Sequence, residues 1–229
     1  SYAFDPEGAL SPPALRKEDR GRFECTAITL AQLESARLEN YHVVALLDPT
    51  PLADSLWNKL YEYVRDGGRL AIFLGRESGE PDKSFNGEAA QRLLPGKLGP
   101  PARWPDGTFI DTALNSHRML RQFQKLENVP WRSFPVFRFW PVESLHENVR
   151  QVASFTNGQA AILERDVGRG IVVTMTTPVS DELDDSAWNT LPTGLEPWPF
   201  VMLANEMMQY LVGSEEQPWN HVAQPQLRV

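Results

Sequence analysis

The sequence predicts an α/β fold of the doubly wound kind, with a mostly parallel sheet and an antiparallel β-meander near its C-terminal end. Three observations predict it. Two short apolar runs, residues 42–47 and 69–74, flank a segment with helical spacing. The pair Gly67-Gly68 separates that segment from the second run. Further on, Asn157-Gly158 sits between two runs of strand character.

The clearest unit begins at His42-Val43-Val44-Ala45-Leu46-Leu47, an apolar run that stops at Asp48-Pro49-Thr50-Pro51. The pattern reads as a buried strand and then a helix start, with Thr50 as cap and Pro51 in the first turn, where an N–H has no partner to lose. Leu56, Leu60 and Val64 recur at three-to-four spacing beside Trp57 and Tyr61, and Asp66-Gly67-Gly68 frees the backbone to end the helix. Arg69-Leu70-Ala71-Ile72-Phe73-Leu74 is the second strand. Strands apolar on both faces and joined by one amphipathic helix form a parallel βαβ crossover. Upstream, residues 23–28 read as another strand, and 30–38 as a short helix with Leu30, Leu33 and Leu38 inward.

Residues 80–105 are rich in Gly and Pro, with one short helical candidate at 88–94, which predicts a long surface excursion over about 80–110. Trp131, Phe134, Phe137, Phe139 and Trp140, interrupted by Pro130, Pro135 and Pro141, read as an edge strand whose rings cover the sheet, with an exposed docking surface as the sharper alternative. Residues 149–155 and 160–164 flank Asn157-Gly158, the favoured pair for a type I′ hairpin. Gly168-Arg169-Gly170 then turns the chain into residues 171–176, completing a three-strand meander. A last helix over 200–211 is expected to pack Val201, Ala204, Met208 and Leu211. This gives one domain over 1–213 and a polar linker over 214–229 leading into a following domain.

Composition excludes several functions. The chain has 229 residues and a net charge of −8, and its 22 Lys and Arg residues are scattered, so no stripe exists to neutralise phosphates. Nucleic acid is not expected as a partner. Cys25 is the single cysteine, which excludes an internal disulfide and a thiolate-rich zinc site. No apolar run approaches the roughly 20 residues that cross a bilayer, so no direct membrane insertion is expected.

The order strand, helix, Gly-Gly, strand ending in Gly75, then Gly168-Arg169-Gly170, strand and Thr177-Pro178 resembles the class I glutamine amidotransferase-like domains, whose fold is flavodoxin-like. More narrowly it is similar to the non-catalytic members found in bacterial membrane proteins that also carry a von Willebrand factor A-like domain. The likeness is carried by Tyr41 to Gly75, Leu93-Leu94-Pro95, Ser116-His117 with Leu120 and Phe123, Trp188, Leu191-Pro192 and Phe200, and spans about residues 10–213. The enzymes of this class place a nucleophilic cysteine in a Gly-x-Cys-x-Gly turn directly after such a strand, where a sharp elbow exposes the thiol beside backbone donors. Here the turn is Gly75-Arg76-Glu77-Ser78-Gly79, with Glu77 at the thiol's position. A carboxylate is a poor nucleophile toward an amide and repels a developing oxyanion. The enzymes also carry a histidine after a late strand, and this chain has Thr177 there. The resemblance therefore implies fold without activity: a non-catalytic interaction or scaffold domain of a membrane-anchored envelope protein, on the extracytoplasmic side. Its partners would be other domains of that protein or another envelope protein. No cofactor is implied, and no metal.

The competing reading is a small-ligand or metal site, or a divergent hydrolase, at the edge of the sheet where open α/β folds bind ligands. Its candidate residues are Asp48, Arg76, Glu77, Ser78, Asp181 and Asp184. Ser78 as a shifted nucleophile with His117 as base is the weakest form of it. Ser78 lies one residue off the elbow, and His117 opens a helix that it is expected to cap or pack.

Overall fold

The computed structural model describes residues 23–112, 116–179 and 186–213. Helix α1 (Leu30–Ser35) is closed by a capping box, in which the Thr29 hydroxyl accepts from Gln32 N–H and the Gln32 side chain accepts from Thr29 N–H. It is shorter than the sequence predicts; Leu38 starts a separate 3-10 turn, and Leu33 and Leu38 are buried. Residues 23–28 form no strand, and most of their side chains are exposed. Strand propensity is a weak guide where tertiary context decides.

Strand β1 (Val43–Leu47), helix α2 (Asp54–Arg65) and strand β2 (Arg69–Phe73) form the expected crossover. The strands are parallel, in register from Val43 beside Arg69 to Leu47 beside Phe73. Helix α2 begins at Asp54, with Ala53 and not Thr50 at its N-cap. Pro49 and Pro51 disfavour helical backbone in the residues before them, which delays the start. Leu56, Trp57, Leu60 and Val64 are buried, and the Trp57 indole donates to Ser84 Oγ at 2.9 Å.

The stretch expected as a surface excursion is partly core. Helix α3 (Glu88–Gln91) brings Ala89, Ala90, Leu93 and Leu94 against α2, with Phe85 fully buried under the Trp57 ring. Strands β3 (Lys97–Leu98), β4 (Ala102–Thr108) and β5 (Ile110–Asp111) follow, then β6 (Val136–Phe139) and β7 (Val142–Glu143). β3 pairs with β7 and β4 with β6 in two small ribbons. Trp131, Phe134, Phe139 and Trp140 are buried, so this aromatic stretch is packing and not a docking face.

Strands β8 (Val149–Phe155), β9 (Ala160–Val167) and β10 (Gly170–Met175) make the meander. In the β8–β9 turn only Gly158 takes a positive φ, 85°, so the turn is not type I′, which needs two such residues. The six-stranded sheet runs β1-β2-β10-β9-β8-β5. Only the neighbouring pairs β1–β2 and β2–β10 are parallel and the other three pairings are antiparallel, so the sheet is mixed where the sequence predicted a mostly parallel one. Helices α2 and α3 cover one face; helix α4 (Trp198–Val212) covers the other, over a second core with Met175, Phe155 and Val173. Its inward residues are Phe200, Leu203, Met207 and Leu211, not the predicted Val201, Ala204 and Met208; Val201 is 42% exposed. The helix is apolar nearly all round, so spacing alone did not identify the inner side.

Candidate functional site

Because β1 and β2 are parallel, both end on one edge of the sheet, and the residues that follow them meet there. Asp48 leaves β1 with a left-handed backbone, φ 45°, while its N–H still donates to Phe73 O at 2.8 Å. The bend aims its carboxylate into the turn Gly75–Gly79. There Oδ1 accepts the Glu77 N–H at 2.9 Å, the Ser78 hydroxyl lies 3.5 Å from the same oxygen, and the N–H groups of Arg76 and Ser78 face the carboxylate and favour its charged form. Three successive backbone donors around one anion make a nest. Gly75 is required by this contact, since a Cβ on it would lie 2.5 Å from the Asp48 carboxyl carbon.

The side chains of the turn face different ways. Ser78 is fully buried; its hydroxyl accepts from Gly75 N–H at 3.2 Å and donates to Pro49 O at 3.2 Å. Glu77 is exposed. Arg76 reaches across to Ser186, donating to its Oγ at 2.9 Å and its carbonyl at 3.1 Å. The floor of the elbow is Trp140, whose indole donates to Gly75 O at 2.9 Å and whose ring packs 5.9 Å from that of Trp188. Thr177, after β10 on the same edge, donates to Arg138 O at 3.0 Å and accepts from the buried Asn189 side chain at 3.0 Å. Thus Asp48, Arg76, Glu77 and Ser78 come together, while Asp181 and Asp184 lie outside the described residues. Burial pushes the Asp48 carboxyl above the ordinary aspartate value and the Glu77 charge adds to this; the backbone donors offset only part of the rise.

A second polar cluster lies within the sheet, on β8 and β9. Glu164, fully buried on β9, receives Arg150 of β8 through Nε at 3.0 Å, and Arg150 also bridges to Asp166 at 2.9 Å. His117 Nε2 stands 3.3 Å from the other Glu164 oxygen, which has no aligned hydrogen-bond partner among the described residues, and Tyr210 of α4 lies close to the carboxylate. The His117 Nδ1 accepts the Met119 N–H at 3.3 Å, capping a 3-10 turn, so both ring nitrogens are engaged. Burial alone would raise Glu164; the Arg150 hydrogen bond and the nearby His117 and Tyr210 side chains override it and hold the group at about 2. Burial and the Glu164 carboxylate push Tyr210 well up. The sequence carried one signal of this cluster: a glutamate directly continuing the apolar strand run 160–163, with Arg150 on the adjoining strand.

Among the described residues no three His, Cys, Asp or Glu side chains gather as metal ligands, and no helix is long and apolar enough to cross a membrane. No protein-family model matches the sequence, and no curated protein does. Solved structures match the fold. The cytoplasmic protein STM3548 from Salmonella typhimurium superposes with a TM-score of 0.60 at 14% identity, over 78% of this chain and 77% of its own. A ThuA-like protein from Bacteroides uniformis gives 0.53 at 12%, over 78% and 74%. A β-galactosidase from Rahnella sp. R3 gives 0.54 at 13%, and there this chain corresponds to 24% of the larger protein. At such identities the likeness concerns fold, and it defines an α/β protein with a mixed sheet.

Proposed function

We propose that this chain is a non-catalytic interaction domain, built on the doubly wound scaffold of the glutamine amidotransferase-like kind, within a larger membrane-anchored bacterial envelope protein. The supporting observation is the occupied nest. In an acyl-transfer elbow the turn's backbone donors must be vacant to receive a developing oxyanion. Here Asp48 already occupies that cradle: it takes the Glu77 N–H at 2.9 Å, and the N–H groups of Arg76 and Ser78 face the same carboxylate. The one hydroxyl in the turn, on Ser78, is buried and bonded to Gly75 and Pro49. Glu77 is exposed to solvent. The competing ligand or metal site at this edge would have to draw on Asp48, whose carboxylate is already engaged.

Ammonia release from glutamine, and hydrolysis of activated esters, test the reading with the purified chain. Rates no higher than those of a Ser78→Ala, Glu77→Ala double variant are expected. Turnover that either substitution abolishes would overturn it.

A further inference from the structure

The six-stranded sheet ends at β1, and among the described residues nothing pairs with the outer side of that strand. Asp48 N–H bonds β2 through Phe73 O, so by the alternation of a strand Leu46 and Val44 also face β2. Val43, Ala45 and Leu47 therefore turn their N–H and C=O groups outward. Their side chains share the face covered by α4, yet Ala45 is exposed and Leu47 is 40% exposed. Edge strands are ordinarily protected by a charge, a proline or a bulge, and residues 43–47 contain none.

Helix α4 continues this surface. Tyr210 reaches toward Glu164 on β9, which fixes one flank of the helix as facing the middle of the sheet. At 3.6 residues per turn, Val201, Ala204 and Met208 fall on the opposite flank, toward β1. Val201 is 42% exposed, and Ala204 and Met208 are partly exposed. The combined patch holds no charged side chain in a chain of net charge −8.

We infer that β1 is a dimerisation strand: two copies of this chain pair their β1 strands antiparallel about a two-fold axis, with the exposed flanks of α4 packing across it. The inference rests on the interaction-domain reading above and gives it a surface. The strand is self-complementary. With Ala45 opposite its own copy, Val43 meets Leu47 of the second chain, every outward N–H and C=O finds a partner, and the smallest side chain lies on the axis. Charge selects this face for self-association, because two strongly acidic chains meet here without placing like charges in contact. A specific dimer buries on the order of 800 Å² per partner, more than a five-residue strand edge supplies, so α4 has to take part.

Sedimentation velocity on the native chain, up to about 100 µM and so far above a micromolar Kd, is the test. A dimer is expected. Leu47→Lys and Val201→Glu should each raise its Kd by about tenfold or more, and Ala45→Pro, which deletes one outward N–H and leaves the patch apolar, should do the same. Leu195→Glu, at a site 91% exposed and outside the patch, should leave the dimer intact. Circular dichroism confirms that each variant is folded. A native monomer at every concentration, or a dimer indifferent to all three patch variants, overturns the inference. Neither outcome touches the non-catalytic reading, whose readout is turnover.

Discussion

The two polar clusters, one at the edge where β1 and β2 end and one within the sheet on β8 and β9, hold carboxylates by different means, and the groups respond in opposite directions. Asp48 is held by backbone N–H donors with Glu77 as a charged neighbour, and burial prevails, so its carboxyl is raised. Glu164 is more deeply buried, yet Arg150 and His117 stand against it and it is lowered to about 2. Burial sets the penalty in both places; the sign is decided by whether a cation or a second anion shares the site. The first cluster secures a turn and the second fastens α4 and the segment at His117 to the sheet.

The largest effect expected from breaking this contrast is at Glu164. Glu164→Ala leaves Arg150, His117 and Tyr210 facing an empty buried site, and should lower unfolding stability by about 3 kcal/mol in urea titrations. Next is Gly75→Ala, whose new methyl collides with the Asp48 carboxyl. A loss of about 2 kcal/mol is expected, and combining it with Asp48→Gly should recover part of that, a coupling measurable in a double-mutant cycle. Asp48→Asn keeps a left-handed-tolerant residue and an acceptor oxygen, so it should cost about 1 kcal/mol or less, and Asp48→Ala more, because the backbone at φ 45° then becomes strained. Glu77→Ala, on an exposed side chain, should fall within about 0.5 kcal/mol of the native chain.

Acid titration sharpens the same comparison. The folded Glu164 lies below the ordinary glutamate value of 4.5, so its contribution is present above that pH and is lost as pH falls from 4.5 toward about 2. Asp48 is raised above 3.8, so its contribution has the other sign: it favours the folded state at low pH and fades as pH rises through the raised value. Glu164→Gln should therefore flatten the acid limb of the stability profile, and Asp48→Asn should steepen it. Stability curves between pH 2 and 6 that both variants shift the same way would contradict the assignment.

The parts of this fold legible in the sequence were those written by local periodicity. The β1-α2-β2 crossover and the meander follow from apolar runs, helical spacing and glycine turns. Pairing was not legible. Residues 23–28 have strand composition and form no strand, and the 80–110 stretch looks like a loop although Phe85, Leu93 and Leu94 are core. The rotation of α4 was hidden because apolar residues surround it, so only the sheet beneath decides which of them are inside. At the elbow, the sequence placed Asp48 and residues 75–79 on one edge but could not say that Asp48 lies in the turn's own donors. That depends on its left-handed backbone and on the absence of a Cβ at Gly75. The Glu164 cluster joins β8, β9, α4 and the His117 segment, and no spacing rule links residues so far apart in the chain.

The indole of Trp140 forms the elbow's floor and lies beside that of Trp188. Two chromophores at this separation couple their electronic transitions, so the turn carries its own optical gauge. Any rearrangement that swung Gly75 away from Trp140 and changed the spacing or angle of the two rings would alter the exciton dichroism of the pair. Motion at the elbow can thus be followed without a label.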